Sequence, residues 1–118
     1  MKTRMPIESD EIKKQDYSDK IYRYIHEAEL GSVEAQYILA FHFYHGQDAE
    51  QDYHQAVYWY ERAAEQQHSG AYYMLGICYY KAQGVNKDHV KSRYYFLKAE
   101  EYGFTEAHSI LSSVKFEI

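Results

Sequence analysis

From position 16 onward, apolar side chains recur at the spacing of helices that each bury one face. On a wheel turned at about 100° per residue, Ala35, Leu39 and Phe43 fall on one side. The pattern returns as Ala71, Leu75 and Tyr79, and begins again at Ala107 and Leu111, each time after 36 residues. Asp16, Asp52 and Asp88 keep the same step, as do Tyr24, Tyr60 and Phe96. A fixed period of this length marks a stacked array, in which each unit buries its apolar side against its neighbours. Gly31, Gly46, Gly84 and Gly103 stand where such helices should stop. Six helices are predicted, over residues 18–30, 33–45, 53–66, 69–81, 89–102 and 105–116. The fold class is all-α, a solenoid of stacked helix-turn-helix repeats.

The helices alternate between two types. Those starting near 33, 69 and 105 (A type) carry an alanine and, four residues on, a leucine. Ala40 and Gly76 follow Leu39 and Leu75, and a small residue there lets a neighbouring helix come close. The helices starting near 18, 53 and 89 (B type) open at or just after Asp16, Asp52 and Asp88. A carboxylate at that place accepts from free N–H groups and suits the positive end of the helix dipole. The B helices run through aromatics: Tyr22 and Tyr24, then Tyr58, Trp59 and Tyr60, then Tyr94, Tyr95 and Phe96. The A-to-B connections at 46–52 and 82–88 also match, with Gly84 in register with Asp48. Both residue types tolerate a left-handed backbone, which predicts the same turn twice. Residues 1–15 read as a flexible polar tail. Residues 16–118 read as one domain: an opening B helix in 16–31, repeats at 32–67 and 68–103, and a capping A helix in 104–118.

Leu75-Gly76-Ile77-Cys78-Tyr79, Gly84-Val85, Asp88, Tyr95-Phe96 and Lys98-Ala99-Glu100-Glu101-Tyr102-Gly103 resemble a Sel-one-like repeat, the relative of the tetratricopeptide repeat with a longer A-to-B loop. The earlier copy matches through Leu39-Ala40, Phe43, Gly46, Asp52, Ala56, Trp59-Tyr60 and Arg62-Ala63-Ala64-Glu65. The resemblance covers residues 16–114. It implies a right-handed superhelix of helix pairs and a role as an adaptor or scaffold for other proteins. Lys115 in register with Phe43 and Tyr79, and Lys20 in register with Ala56 and Ser92, suit helices that cap the array. The cysteine pairs of the secreted branch of the family are missing, so the penicillin-related activities of that branch are not implied.

Composition narrows the partner. A formal net charge of −5 argues against a nucleic-acid backbone and is mildly compatible with a basic protein, though so small an excess is first of all ordinary for a soluble domain. Cys78 is the single cysteine, so no intramolecular disulfide can form. No apolar run has the length of a membrane span. Met1 to Gln15 lack the apolar segment of a signal peptide, so a cytoplasmic location is expected.

A second stripe on the A helices is the candidate site. Tyr37, Phe41 and Tyr44 lie on a face turned away from Leu39, and one period on stand Tyr73, Ile77 and Tyr80. In the last A helix the same positions are Ser109, Ser113 and Phe116. In the tetratricopeptide fold such positions line the concave groove, which implies a tyrosine-rich surface gripping a peptide or loop, with Glu34, His45 and Lys81 at its edges. Tyrosine suits that task through large area, few rotors and a polar tip. The competing reading packs these rings inside a tight superhelix. On the groove reading, truncating Tyr37 and Tyr80 together spares folding.

Other residues are read as structural. His42 and His45 stand three apart, but His42 leans toward the core and His45 toward the groove, and no further ligand completes a metal set. Cys78 reads as a packed small residue. Glu27, Glu29, Glu61 and Glu65 read as solvated helix faces. No Ser/His/Asp arrangement, phosphate loop or HExxH motif is present, so the chain is read as a non-enzyme with no cofactor and no metal. The leading function is a protein-interaction module. The alternative is an immunity protein that neutralises a bacterial toxin by direct binding. A homodimer through the first or last helix is a further possibility, because arrays of fewer than about three repeats are marginal.

Overall fold

A computed structural model describes residues 17–117. The tail expected over 1–15 and the cap expected at Asp16 lie outside the described residues. Within them the chain forms α1 (Asp19–Glu29), α2 (Val33–His45), α3 (Tyr53–Glu65), α4 (Ser69–Lys81), α5 (His89–Glu101) and α6 (Glu106–Ser113). Each helix packs chiefly on its neighbours in sequence, and the A–B pairs α2–α3 and α4–α5 are the most extensive.

The starts of α1 to α5 follow one chemistry, a side chain accepting from an N–H of the first turn, while Thr105 before α6 makes no such bond. Asp52 and Asp88 accept from the N–H groups of Gln55 and Lys91, at 3.1 and 3.0 Å. Ser32 caps α2 by accepting from Ala35 N–H at 3.2 Å. Ser18 caps α1 through Ile21 N–H at 3.3 Å. For α4 the capping acceptor is an imidazole: His68 Nδ1 takes the Ala71 N–H at 3.1 Å. That bond requires a lone pair on Nδ1, so it exists only with the ring neutral.

Positive-φ residues mark the turns in register. Gly31, Gln67 and Gly103, at φ 104°, 64° and 97°, close the B-to-A corners one period apart. Gly46 and Ala82, at 72° and 58°, end α2 and α4, and Asp48 and Gly84 follow at 61° and 77°. The Asp48–Gly84 match is the repeated turn that the spacing predicts. Gly84 also has no room for a side chain, because a Cβ there would stand 2.5 Å from the Tyr53 carbonyl oxygen. Gln67 and Ala82 hold the left-handed conformation with a Cβ, which costs about 1–2 kcal/mol each.

The core forms where the A and B faces meet. Leu39, Ala40 and Phe43 of α2 and Ala56, Tyr60 and Ala63 of α3 are all buried. In the next pair, the buried Gly76 meets Ser92 and Phe96, while Leu75 and Cys78 join the core of α2 and α3, and Phe96 and Ala99 pack with Ala107 in a second cluster. The Phe96 ring lies so close over Gly76 that a Cβ would fall 2.8 Å from it. Beside it, Ser92 Oγ donates to the Gly76 carbonyl at 2.7 Å. This is the close approach that the small residues after Leu39 and Leu75 predict.

The last helix departs from expectation. It stops at Ser113 instead of reaching 116, and Val114 is extended at φ −95°, ψ 137°. Ser113 Oγ donates to the Ser109 carbonyl at 2.6 Å, a local bond that competes with continuation of the helix. The chain then turns back. Phe116 packs on Tyr80 and Phe96, and Glu117 N–H donates to His89 Nδ1 at 2.8 Å.

Three measurements check this account. Leu75→Ala removes a fully buried side chain and should cost about 2–5 kcal/mol, and Gly76→Leu should cost about 1–3 kcal/mol by forcing the Phe96 ring away. An unchanged denaturation midpoint in either would place that contact outside the core. Ala82→Gly should stabilise by about 0.5–1 kcal/mol, the left-handed penalty less the entropy of glycine. Burial holds the His68 pKa below its ordinary value of 6.5, with Glu34 opposing. Its contribution is therefore complete above that value and is lost as pH falls from there through the lower folded-state pKa. Thermal melts across this window should show a loss on acidification that is smaller in His68→Asn, which keeps a cap acceptor without titrating. Equal pH dependence in the two proteins would exclude His68 as its source.

Candidate functional site

The predicted residues fall into two clusters, one on each repeat. On α2, Glu34, Phe41 and His45 are exposed, while Tyr37 and Tyr44 are half-buried. Phe41 and His45, one turn apart, hold their rings 4.3 Å from centre to centre. Tyr37 stacks on His68 at 4.3 Å and meets Tyr60 at 5.7 Å. Tyr44 packs on Tyr53 at 5.2 Å and donates to Gln83 Oε1 at 2.6 Å, and Gln83 Nε2 donates to Tyr53 Oη at 3.2 Å. This relay ties α2, α3 and the α4–α5 connection into one rigid surface.

Burial pushes the Tyr37 and Tyr44 hydroxyls above the ordinary value and Tyr60 further still, so all three stay protonated donors at neutral pH. Tyr60 Oη is buried with no hydrogen-bond partner among the described residues. The Cys78 thiol beside this cluster is pushed up to about 12 by burial first, then by the Glu61 charge, which makes it an inert packed side chain.

On α4, Tyr73, Ile77 and Tyr80 are half-buried and Lys81 is exposed. They wall one side of an apolar cleft of about 340 Å³, closed on the other side by Phe96 of α5 and by Ile110 and Val114 at the α6 end. Tyr73 leans on Phe104 at 4.6 Å, and Tyr80 stacks nearly flat on His89 at 4.6 Å and 6°. Phe116 joins this group from the extended tail and not from a helical face. Ser109 and Ser113 are exposed on α6, outside the cleft.

Two sequence readings change here, those of the Tyr37/Tyr80 pair and of Glu61. Tyr37 and Tyr80 carry ring contacts on their buried sides, so truncating both loosens the fold as well as the surface. Glu61 does not lie on a solvated face: it is half-buried, between α3 and α5. Its carboxyl is pushed above the ordinary value by burial, with Lys91 opposing and Glu65 adding. His42 is buried and its Nδ1 lies 2.9 Å from the Gln47 carbonyl, whereas His45 is exposed. Among the described residues no three His, Cys, Asp or Glu side chains converge as metal ligands, and no helix is long and apolar enough to cross a membrane. Tyr53, Tyr60, Gln83, Phe96 and Ile110 complete the two clusters and were not singled out as site residues. The B-helix aromatic runs were the available signal for Tyr60 and Phe96.

The chain has close counterparts in known proteins. The Sel1 repeat model matches residues 33–68 and 69–103, the boundaries of the α2–α3 and α4–α5 pairs. A Sel1 repeat protein from Oxalobacter formigenes superposes with a TM-score of 0.74 at 27% identity, over 77% of this chain and 37% of that one. The protein c5321, a protective antigen present in uropathogenic Escherichia coli strains and displaying an SLR fold, superposes with a TM-score of 0.73 at 32% identity, over 77% of this chain and 20% of that one. This chain thus spans well under half the length of either. No curated protein matches. Two adjacent repeat matches, each laid over one A–B helix pair, show that the chain belongs to the Sel1 repeat family.

Proposed function

We propose that the chain is a protein-binding module whose contact surface is the A-helix face: Glu34, Tyr37, Phe41, Tyr44 and His45 on α2, continued by Tyr73, Ile77, Tyr80 and Lys81 on α4. Sel1 repeats are protein-interaction scaffolds, and that family character supports the general reading. The observation that carries the specific one is the apolar cleft of about 340 Å³ walled by Tyr73, Ile77 and Tyr80. Its size and walls suit an apolar side chain anchored from a partner. Phe41 stands exposed next to His45 on the other repeat, offering a second contact. The net charge of −5 favours a basic partner. Neutralisation of a toxin is the form of this reading in which that partner is a basic toxin domain.

The test uses side chains that do not hold the fold together. Phe41→Ala with Glu34→Gln changes two exposed residues, so the melting temperature should move by a few degrees at most. A stoichiometric partner recovered from source-cell lysate by the unaltered chain should be held roughly tenfold less tightly by the variant. Its affinity should fall as salt rises. Equal recovery by both proteins would move the contact off this face, and affinity constant across salt would remove the basic partner.

A further inference from the structure

Equivalent positions along the array are treated in opposite ways. Ile25 of α1, Glu61 of α3 and Leu97 of α5 share a register, 36 residues apart. Ile25 is buried with Gln36 and Trp59 in a closed core, where Gln36 donates to the Ala28 carbonyl at 3.1 Å and accepts from Gln66 at 3.0 Å. One period on, the counterparts of Ile25, Gln36 and Trp59 are Glu61, Tyr72 and Tyr95, all half-buried. That site stays open as a cleft of about 420 Å³, floored by Leu75 and flanked by Glu65 and Tyr94. Glu61 has no hydrogen bond or ion pair among the described residues. An unpaired carboxylate withdrawn from water is a cost to the fold, and the same chain fills the equivalent place with isoleucine.

The aromatic wall shows a matching departure. On α3, Arg62 donates to Tyr58 Oη at 2.9 Å, with its guanidinium 5.8 Å from the Tyr58 ring centre and 5.5 Å from that of Trp59. The rings counterpart to Tyr58 and Trp59 are Tyr94 and Tyr95, again an edge-to-face pair, at 5.3 Å. The counterpart of Arg62 is Lys98, which turns instead to Glu101 at 3.4 Å and to the Tyr102 ring at 5.3 Å. Lys91, the other cation near the cleft, lies over Tyr79. Tyr95 stacks on Tyr79 at 5.6 Å and 24°, which leaves the exposed Tyr94 as the open ring beside the Glu61 carboxylate, and among the described residues no cation lies over it.

We propose that this cleft between α3 and α5 binds an arginine side chain presented by a partner protein, with Glu61 taking the guanidinium and Tyr94 stacking against it, held in place by its edge-to-face contact with Tyr95. A planar guanidinium matches a carboxylate and an aromatic face at once, which an ammonium does not. Arg62 shows the aromatic half of that geometry against Tyr58 and Trp59, where Ile25 stands in place of the carboxylate. The site deepens the protein-binding reading by adding a contact away from the A-helix face, and its test needs no partner, so the two can fail separately.

The probe is the blocked tripeptide acetyl-Gly-Arg-Gly-amide, titrated into the full chain and followed by backbone amide NMR. Saturable shifts are expected at Glu61, Tyr94 and Tyr95. They should be absent with the citrulline tripeptide, which keeps the shape and loses the charge. Binding should weaken roughly tenfold or more in Glu61→Gln. Glu61→Ile, which copies Ile25 of α1, should abolish binding while raising the melting temperature, so that loss of binding is not loss of fold. An equal response to citrulline, shifts spread over the acidic surface, or unchanged affinity in Glu61→Gln would each overturn the proposal. A melting temperature lowered by Glu61→Ile would mark the carboxylate as structural and count against it.

Discussion

The contact on which this fold depends is the one between a small residue on an A helix and an aromatic ring on the following B helix. At Gly76 the Phe96 ring occupies the space a side chain would need, and Ser92 binds the Gly76 carbonyl from the same side. Ala40 and Ala56 provide the tight approach in the preceding pair, where Tyr60 is the buried ring. Because the approach is close, its geometry is narrowly defined, and repeating it after 36 residues repeats the pair. Everything presented outward, including the Tyr44–Gln83–Tyr53 relay and the cleft beside Ile77, is held at angles set by these two contacts.

The first and last described helices differ from the inner ones. Position 20, where an inner repeat has Ala56 or Ser92, is the exposed Lys20, paired with Asp48 at 3.5 Å. At the other end α6 is short, and the tail returns so that Phe116 covers part of the Phe96 and Tyr80 surface.

Much of this was legible in the residues because a period amplifies weak signals. Any one alanine, aspartate or glycine says little, but Ala35, Ala71 and Ala107 in step locate the core face, and Asp52 and Asp88 locate helix starts. The illegible parts lack a local signal or depend on a distant neighbour. Nothing about alanine or glutamine announces that Ala82 and Gln67 are left-handed. They are forced there by the turn that their glycine counterparts adopt freely. The burial of Glu61 comes from α5 arriving on its far side, which a wheel of α3 alone cannot show. The early end of α6 reflects the attraction of Phe116 to rings on α4 and α5. The stripe at Tyr37 and Tyr80 was read as surface or core, and each ring is in fact half of each.

The central claim is that the two inner A–B pairs, locked by small-residue contacts, form one cooperative body, with α6 and the tail docked on it. Native-state amide hydrogen exchange across denaturant tests this most directly. The slowest amides should lie in α2 through α5 and open together at the free energy of global unfolding, with α6 opening at lower free energy. If α4 and α5 opened separately from α2 and α3, or α6 were as protected as the inner helices, the claim would be contradicted.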